Sequence, residues 1–119
     1  MPLTITSDER AGVPTLRAAG SLDSTTHTQL DEQLAALRAR KPRTVVLDLK
    51  DVSYISSAGA RVIISAHRAM KAAGGSLALT NLQPQVRMVF ELIMALPSLN
   101  VFDDPAELDR YLGRIQKAP

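Results

Sequence analysis

The sequence predicts an α/β fold built on a mixed, mostly parallel β-sheet of about five strands with about four helices, and three observations predict it. Leu3 to Ser7 and Val13 to Ala19 alternate apolar and polar residues, as half-exposed strands do. Val45-Val46-Leu47-Asp48-Leu49 is almost continuously apolar, the mark of a strand covered on both faces of a parallel sheet. Between and after these runs, apolar residues recur at spacings of three and four, as in Leu30, Leu34 and Leu37, which is the helical period. Strands alternating with helices make a layered α/β protein.

Taken in order, Leu3 to Ser7 is a first strand, Asp8 to Gly12 a polar turn, and Val13 to Ala19 a second strand, together a hairpin. Pro14 cannot donate to a ladder and argues for an edge position. Gly20 to Thr26 leads into the first helix. Asp23, Ser24 or Thr25 can cap it, and Thr26 with Gln29 fits a capping box if it starts late. Pro42 ends that helix, and Thr44 to Leu49 is the next strand. A short polar turn then reaches Ser56-Ser57-Ala58-Gly59 and a helix from Ala58 to Ala73, with Ala58, Val62, Ile63, Ala66, Ala69, Met70 and Ala73 as its inner face. Its outer face carries Arg61, Ile64, Arg68 and Lys71, so Ile64 is an apolar residue among cations on the predicted surface. Gly74-Gly75 stops the helix as a left-handed cap.

Ser76 to Thr80 is a fourth strand, and Pro84 opens a helix to about Leu96 on the stripe Val86, Val89, Phe90 and Ile93. Met88, Leu92 and Met94 lie outside that stripe, so this helix is either covered on two sides or offers a contact surface. Leu99 to Phe102 is a short last strand. Asp104-Pro105-Ala106-Glu107 starts a final helix with Leu108, Leu112 and Ile115 inward. The order is ββαβαβαβα, and right-handed crossovers make the later strands parallel, with the first added antiparallel.

At 119 residues, residues 1–119 form one domain by size. The absence of cysteine rules out a disulfide framework and thiolate metal sites and fits a cytoplasmic protein. Acidic and basic residues are interspersed at a net charge of +2, and only 3% of residues are aromatic, so no basic, aromatic-studded face for nucleic acid stands out. No apolar run reaches the roughly 18 residues of a membrane span, and the start, MPLTITSDER, lacks the charged and apolar blocks expected of a signal peptide. His27 and His67 fall on predicted helices away from carboxylates, so no base for a serine nucleophile and no cofactor site is visible; the chain reads as non-enzymatic.

The chemistry concentrates at Ser56-Ser57, where a strand hands over to a helix. Open α/β sheets place ligands at the carboxyl ends of their strands, and the helix start offers free N–H groups to an anion. The same two serines suit simple helix capping.

The segment VVLDLKDVSYISSAGARVII resembles the signature of STAS domains, specifically the bacterial anti-sigma-factor antagonists, in which a strand of the form hhLDL is followed by D/S-S-[SA]-G-L and a helix. Gly20-Ser21-Leu22-Asp23 matches the family's G-x-[IL]-D, and Val89 to Leu92 with Asn100 to Asp103 resembles its C-terminal helix and strand. The resemblance implies partner switching. The unphosphorylated antagonist binds an anti-sigma factor or switch protein that is a serine kinase of the histidine-kinase-like ATPase type. Phosphorylation releases it, and a metal-dependent Ser/Thr phosphatase resets it.

With Gly59 aligned, the family's phosphoacceptor falls on Ser57, its preceding aspartate on Ser56, and its helix-start aspartate on Asp23. Ser56 in place of aspartate makes Ser56 the second choice of acceptor, and Ala60 in place of leucine trims a partner contact. The implied partner surface comprises Asp23, Ser24, Ser56, Ser57, Gly59, Arg61, Ile64 and Arg68. The alternative is a STAS scaffold subunit that is not kinase-switched, as in a phospholipid-transport ATPase complex or a stressosome-like assembly, with Ser57 only a helix cap.

Overall fold

The computed structural model describes residues 2–95. The order is β1 (Thr4–Arg10), β2 (Val13–Leu22), α1 (His27–Ala39), β3 (Thr44–Ile55), α2 (Ser57–Ala72), β4 (Ser76–Thr80) and α3 (Pro84–Ala95). The fifth strand and final helix expected from the sequence lie outside the described residues.

One sheet runs in the order β1-β2-β3-β4, with β1 antiparallel to β2 and the other neighbours parallel. Both crossovers step the same way, so right-handedness puts α1 and α2 on one face, where they pack together. Leu16, Leu22, Leu47, Leu49 and Ile55 of the sheet are fully buried, as are Leu30 and Val86 on the helices. Burial of each such side chain contributes about 2 kcal/mol.

The hairpin is tighter than the sequence suggests. Ala11 and Gly12 alone form the loop, with φ of 52° and 80°, and Arg10 pairs with Val13. Positive φ at both positions is the geometry that matches strand twist in two-residue hairpins. Pro14 is not on an edge strand, because β2 lies between β1 and β3. It is tolerated because Glu9 with Pro14 is the pair next to the closing Arg10–Val13 pair, where the antiparallel alternation calls for no exchanged ladder bonds, and pairing with β3 starts only at Thr15. Its missing donor therefore has no neighbour to serve.

Nor does β3 end at Leu49. It continues to Ile55, and its buried positions change spacing from Val45, Leu47 and Leu49 to Val52 and Ile55. Pairing with β2 shifts register between Arg17 and Ala19 and again between Gly20 and Ser21, with an extra β3 residue each time. Such bulges break the two-residue period while keeping the apolar side chains inward. At the first, the Lys50 N–H donates to Asp48 Oδ1 at 3.0 Å. The carbonyls of Lys50 and Ser53 accept from Gln83 Nε2 at 2.7 Å and Gln85 Nε2 at 3.2 Å, tying the start of α3 to the far half of β3.

Candidate functional site

The site forms where β2 and β3 end side by side. Register pairs Leu22 with Ile55, and the Ser56 N–H then donates to the Leu22 carbonyl at 2.9 Å. Ser56 leaves the strand in an extended conformation (φ −94°, ψ 175°) and caps α2 by accepting from the Gly59 N–H at 3.3 Å. Ser57 is the first helical residue. Both serines are buried, each 4% exposed. Gly59 makes this approach possible: a Cβ there would stand 2.7 Å from both Leu22 Cγ and the Leu22 carbonyl oxygen. The start of α2 is thus clamped on the end of β2, and Asp23 follows directly.

Asp23 organises the turn into α1. Its Oδ1 accepts from the N–H and hydroxyl of Thr25 at 2.9 and 2.8 Å and from the Thr26 N–H at 3.1 Å. Thr26 Oγ1 accepts from the Asp23 N–H at 2.9 Å and donates to the Ser21 carbonyl at 2.8 Å. The capping box on Thr26 and Gln29 does not form, since Thr26 makes no side-chain cap bond to the helix. Its hydroxyl is committed to the β2 end instead, and Asp23 takes the N–H groups of the turn that leads into α1, those of Thr25 and Thr26 on its carboxylate and that of His27 on its carbonyl.

Partial burial pushes the Asp23 carboxyl up, but the hydrogen bonds from Thr25 and Thr26 outweigh it and hold the group below the ordinary aspartate value. A carboxyl lowered on folding stabilises the native state above its unfolded pKa, about 3.9, and loses that contribution as pH falls through the lower folded value. The stability difference between wild type and Asp23→Asn is therefore expected to be constant near neutrality and to shrink on acidification below about pH 4. Urea midpoints at a series of pH values check this; a difference that grows on acidification contradicts it.

The structure brings Asp23, Ser24, Ser56, Ser57 and Gly59 to one end of the sheet. Arg61 and Arg68 are exposed on α2, four and eleven residues past Ser57 and on the same helical stripe. Ile64 lies on that stripe too but is not a surface residue. It is 6% exposed and lines an apolar groove of about 210 Å³ with Ile63, His67, Leu77, Leu79 and Phe90. The packing of α3 and β4 against α2 buries it, and no spacing within α2 reveals that neighbour. Ala60 is likewise buried at 0% exposure, so its small side chain reflects core packing rather than a trimmed contact. Ala69 and Ala73, expected inside, are exposed.

Sequence reasoning missed Leu22 and Thr26 as builders of the site. Leu22 sits in the G-x-[IL]-D match, and Thr26 is legible only as a cap candidate. Among the described residues no group of His, Cys, Asp and Glu is arranged to hold a metal ion, and no helix is long and apolar enough to cross a membrane.

Comparison with known proteins gives a consistent family. Residues 4–108 match the model of the STAS domain. A Bordetella bronchiseptica protein named as an anti-sigma factor antagonist, BtrV, is 38% identical over 90 residues, covering 76% of this chain and 78% of its own. A solved anti-sigma factor antagonist from Mycobacterium paratuberculosis superposes with a TM-score of 0.68 at 22% identity, covering 91% of this chain and 94% of that one. The antagonist SpoIIAA in its unphosphorylated form matches at TM-score 0.63 and 21% identity, over 75% of this chain and 83% of its own, and a phosphorylated form is also known in this fold. The same fold occurs inside longer proteins, for this chain spans only 20% of one called Mglu, at TM-score 0.58 and 24% identity. The match covers most of the chain, and the chain belongs to the STAS domain family, with relatives named anti-sigma factor antagonists.

Proposed function

We propose that this chain is a non-enzymatic anti-sigma-factor antagonist of the partner-switching kind, working as a soluble cytoplasmic protein with residues 1–119 as one STAS domain. Unphosphorylated, it binds an anti-sigma factor or switch protein that is also a serine kinase of the histidine-kinase-like ATPase type. The kinase then modifies Ser57: the serine Oγ bonds to the γ-phosphorus of ATP as the bond to the ADP oxygen breaks, and the proton leaves to a base on the kinase. A metal-dependent Ser/Thr phosphatase returns the hydroxyl by hydrolysis.

The observation that carries this reading is the division of labour between the two serines. Ser56 Oγ is the acceptor that caps α2, whereas Ser57 opens the helix beside Asp23 at the carboxyl ends of β2 and β3. Modifying Ser56 removes a cap worth about 1 kcal/mol. A phosphate on Ser57 adds charge of about −1.5 to −2 where the positive end of the α2 dipole receives it. The partner surface we assign is Asp23, Ser24, Ser57, Arg61 and Arg68, with Ser56 and Gly59 shaping its backbone.

The burial of both serines favours a second reading, a STAS scaffold subunit in which this junction is only a cap and the surface is occupied permanently. Pull-downs from the native host with wild type, Ser57→Ala and Ser57→Asp separate the two. Capture of a histidine-kinase-like ATPase by wild type and Ser57→Ala, and its loss with Ser57→Asp, supports the switch. Identical partners for all three, or transporter subunits among them, supports the scaffold.

A further inference from the structure

Four residues after Ser57, α2 carries a cation whose placement bears on what happens to a phosphate once it is there. Arg61 is exposed and makes no ion pair among the described residues, unlike Arg17, which pairs with Asp48, and Arg40, which pairs with Glu9. Residues four apart on a helix lie one above the other, and side chains tilt toward the helix N-terminus, so the Arg61 guanidinium sweeps the surface over the turn that contains Ser57. An acidic group followed four residues later by a basic one is the favourable orientation for such a pair. Arg68, though on the same stripe, is two turns beyond Arg61 and roughly 10 Å further along the axis, out of reach.

We infer that Arg61 is the intramolecular receptor of a phosphate on Ser57, and that its capture withdraws the guanidinium from the partner surface. The inference rests on Ser57 being the modified residue. It adds a specific element to the switch: the modification places a negative group at the surface and at the same time ties up the cation that the surface offers. Buried as it is, the Ser57 hydroxyl has little room for three more oxygens in place, so the phosphate must emerge from the junction. The helical stripe directs it toward Arg61. Arginine suits the role because its planar fork donates to two phosphate oxygens together, which lysine does not.

The test installs phosphoserine at position 57 of the full chain during synthesis, so that no kinase is needed, and follows the second phosphate ionisation by phosphorus-31 NMR across pH. The parent, Arg61→Gln, Arg61→Lys and Arg68→Gln forms are compared, with Asp23 and the helix dipole common to all four. In the parent, the phosphate is expected to ionise about half a pH unit lower than in Arg61→Gln, the size of an exposed, charge-assisted helix pair. Arg61→Lys is expected between them, Arg68→Gln with the parent, and the difference to fade at high salt. Equal ionisation in the parent and Arg61→Gln overturns the inference, as does a phosphorylated chain that fails to fold by circular dichroism. If the native kinase never modifies Ser57, the proposed function fails while this titration still reads the contact.

Discussion

Aspartate at position 57, or phosphate on Ser57, is expected to leave the protein folded and to weaken the binding of the kinase partner we propose by about a hundredfold. The two halves of this expectation have different physical sources. Folding survives because Ser57 is the first residue of α2, where unpaired N–H groups and the helix dipole stabilise a negative charge by about 0.3–1 kcal/mol. That offsets part of the cost of placing a charge at a position only 4% exposed, because the charged group can swing out to solvent at a helix end. Binding weakens because an added charge at the centre of a docked surface, with no complementary group on the docking protein, costs about 2–5 kcal/mol. Calorimetric titration of the captured partner with wild type and Ser57→Asp measures the second half, and amide exchange measures the first. Wholesale loss of protection in Ser57→Asp, or affinity within a factor of three of wild type, contradicts the account.

Gly59→Ala is expected to destabilise the protein by about 1–3 kcal/mol, the range for forcing an extra methyl into packed surroundings. The methyl would meet Leu22 Cγ and the Leu22 carbonyl oxygen, each at 2.7 Å. A side chain can rotate away, but the carbonyl cannot, because it accepts the Ser56 N–H at 2.9 Å. Relief requires α2 to move off the end of β2, breaking that bond and shifting Ser57 away from Asp23. Gly74→Ala serves as the contrast: it has no neighbour within 4 Å, and only its φ of +83° penalises a side chain, by about 1 kcal/mol. Urea unfolding of both variants decides the matter. If Gly59→Ala costs no more than Gly74→Ala, the clamp between α2 and β2 is looser than its geometry indicates.

Much of this protein was legible before any coordinates. The hairpin, the parallel core strand, the span Ser76–Thr80, the left-handed stop at Gly74 and the buried stripe of α3 all follow from local period and turn chemistry, which act within a few residues. So does the position of Ser56-Ser57, since a strand-to-helix change of period needs no distant partner to be recognised. The features that escaped are those that depend on a neighbour far along the chain. β3 outlasts Leu49 because two bulges against β2 keep Val52 and Ile55 inward, and a bulge is defined only by its pairing. Pro14 fits an interior strand because of which pairs around it lack ladder bonds. Ile64 is buried because Phe90 and Leu79 arrive from α3 and β4, though its own helix places it among cations. The chain's local preferences thus determined its elements and the junction where its chemistry sits. Tertiary packing alone decided which side chains around that junction face solvent, because burial belongs to pairs of elements.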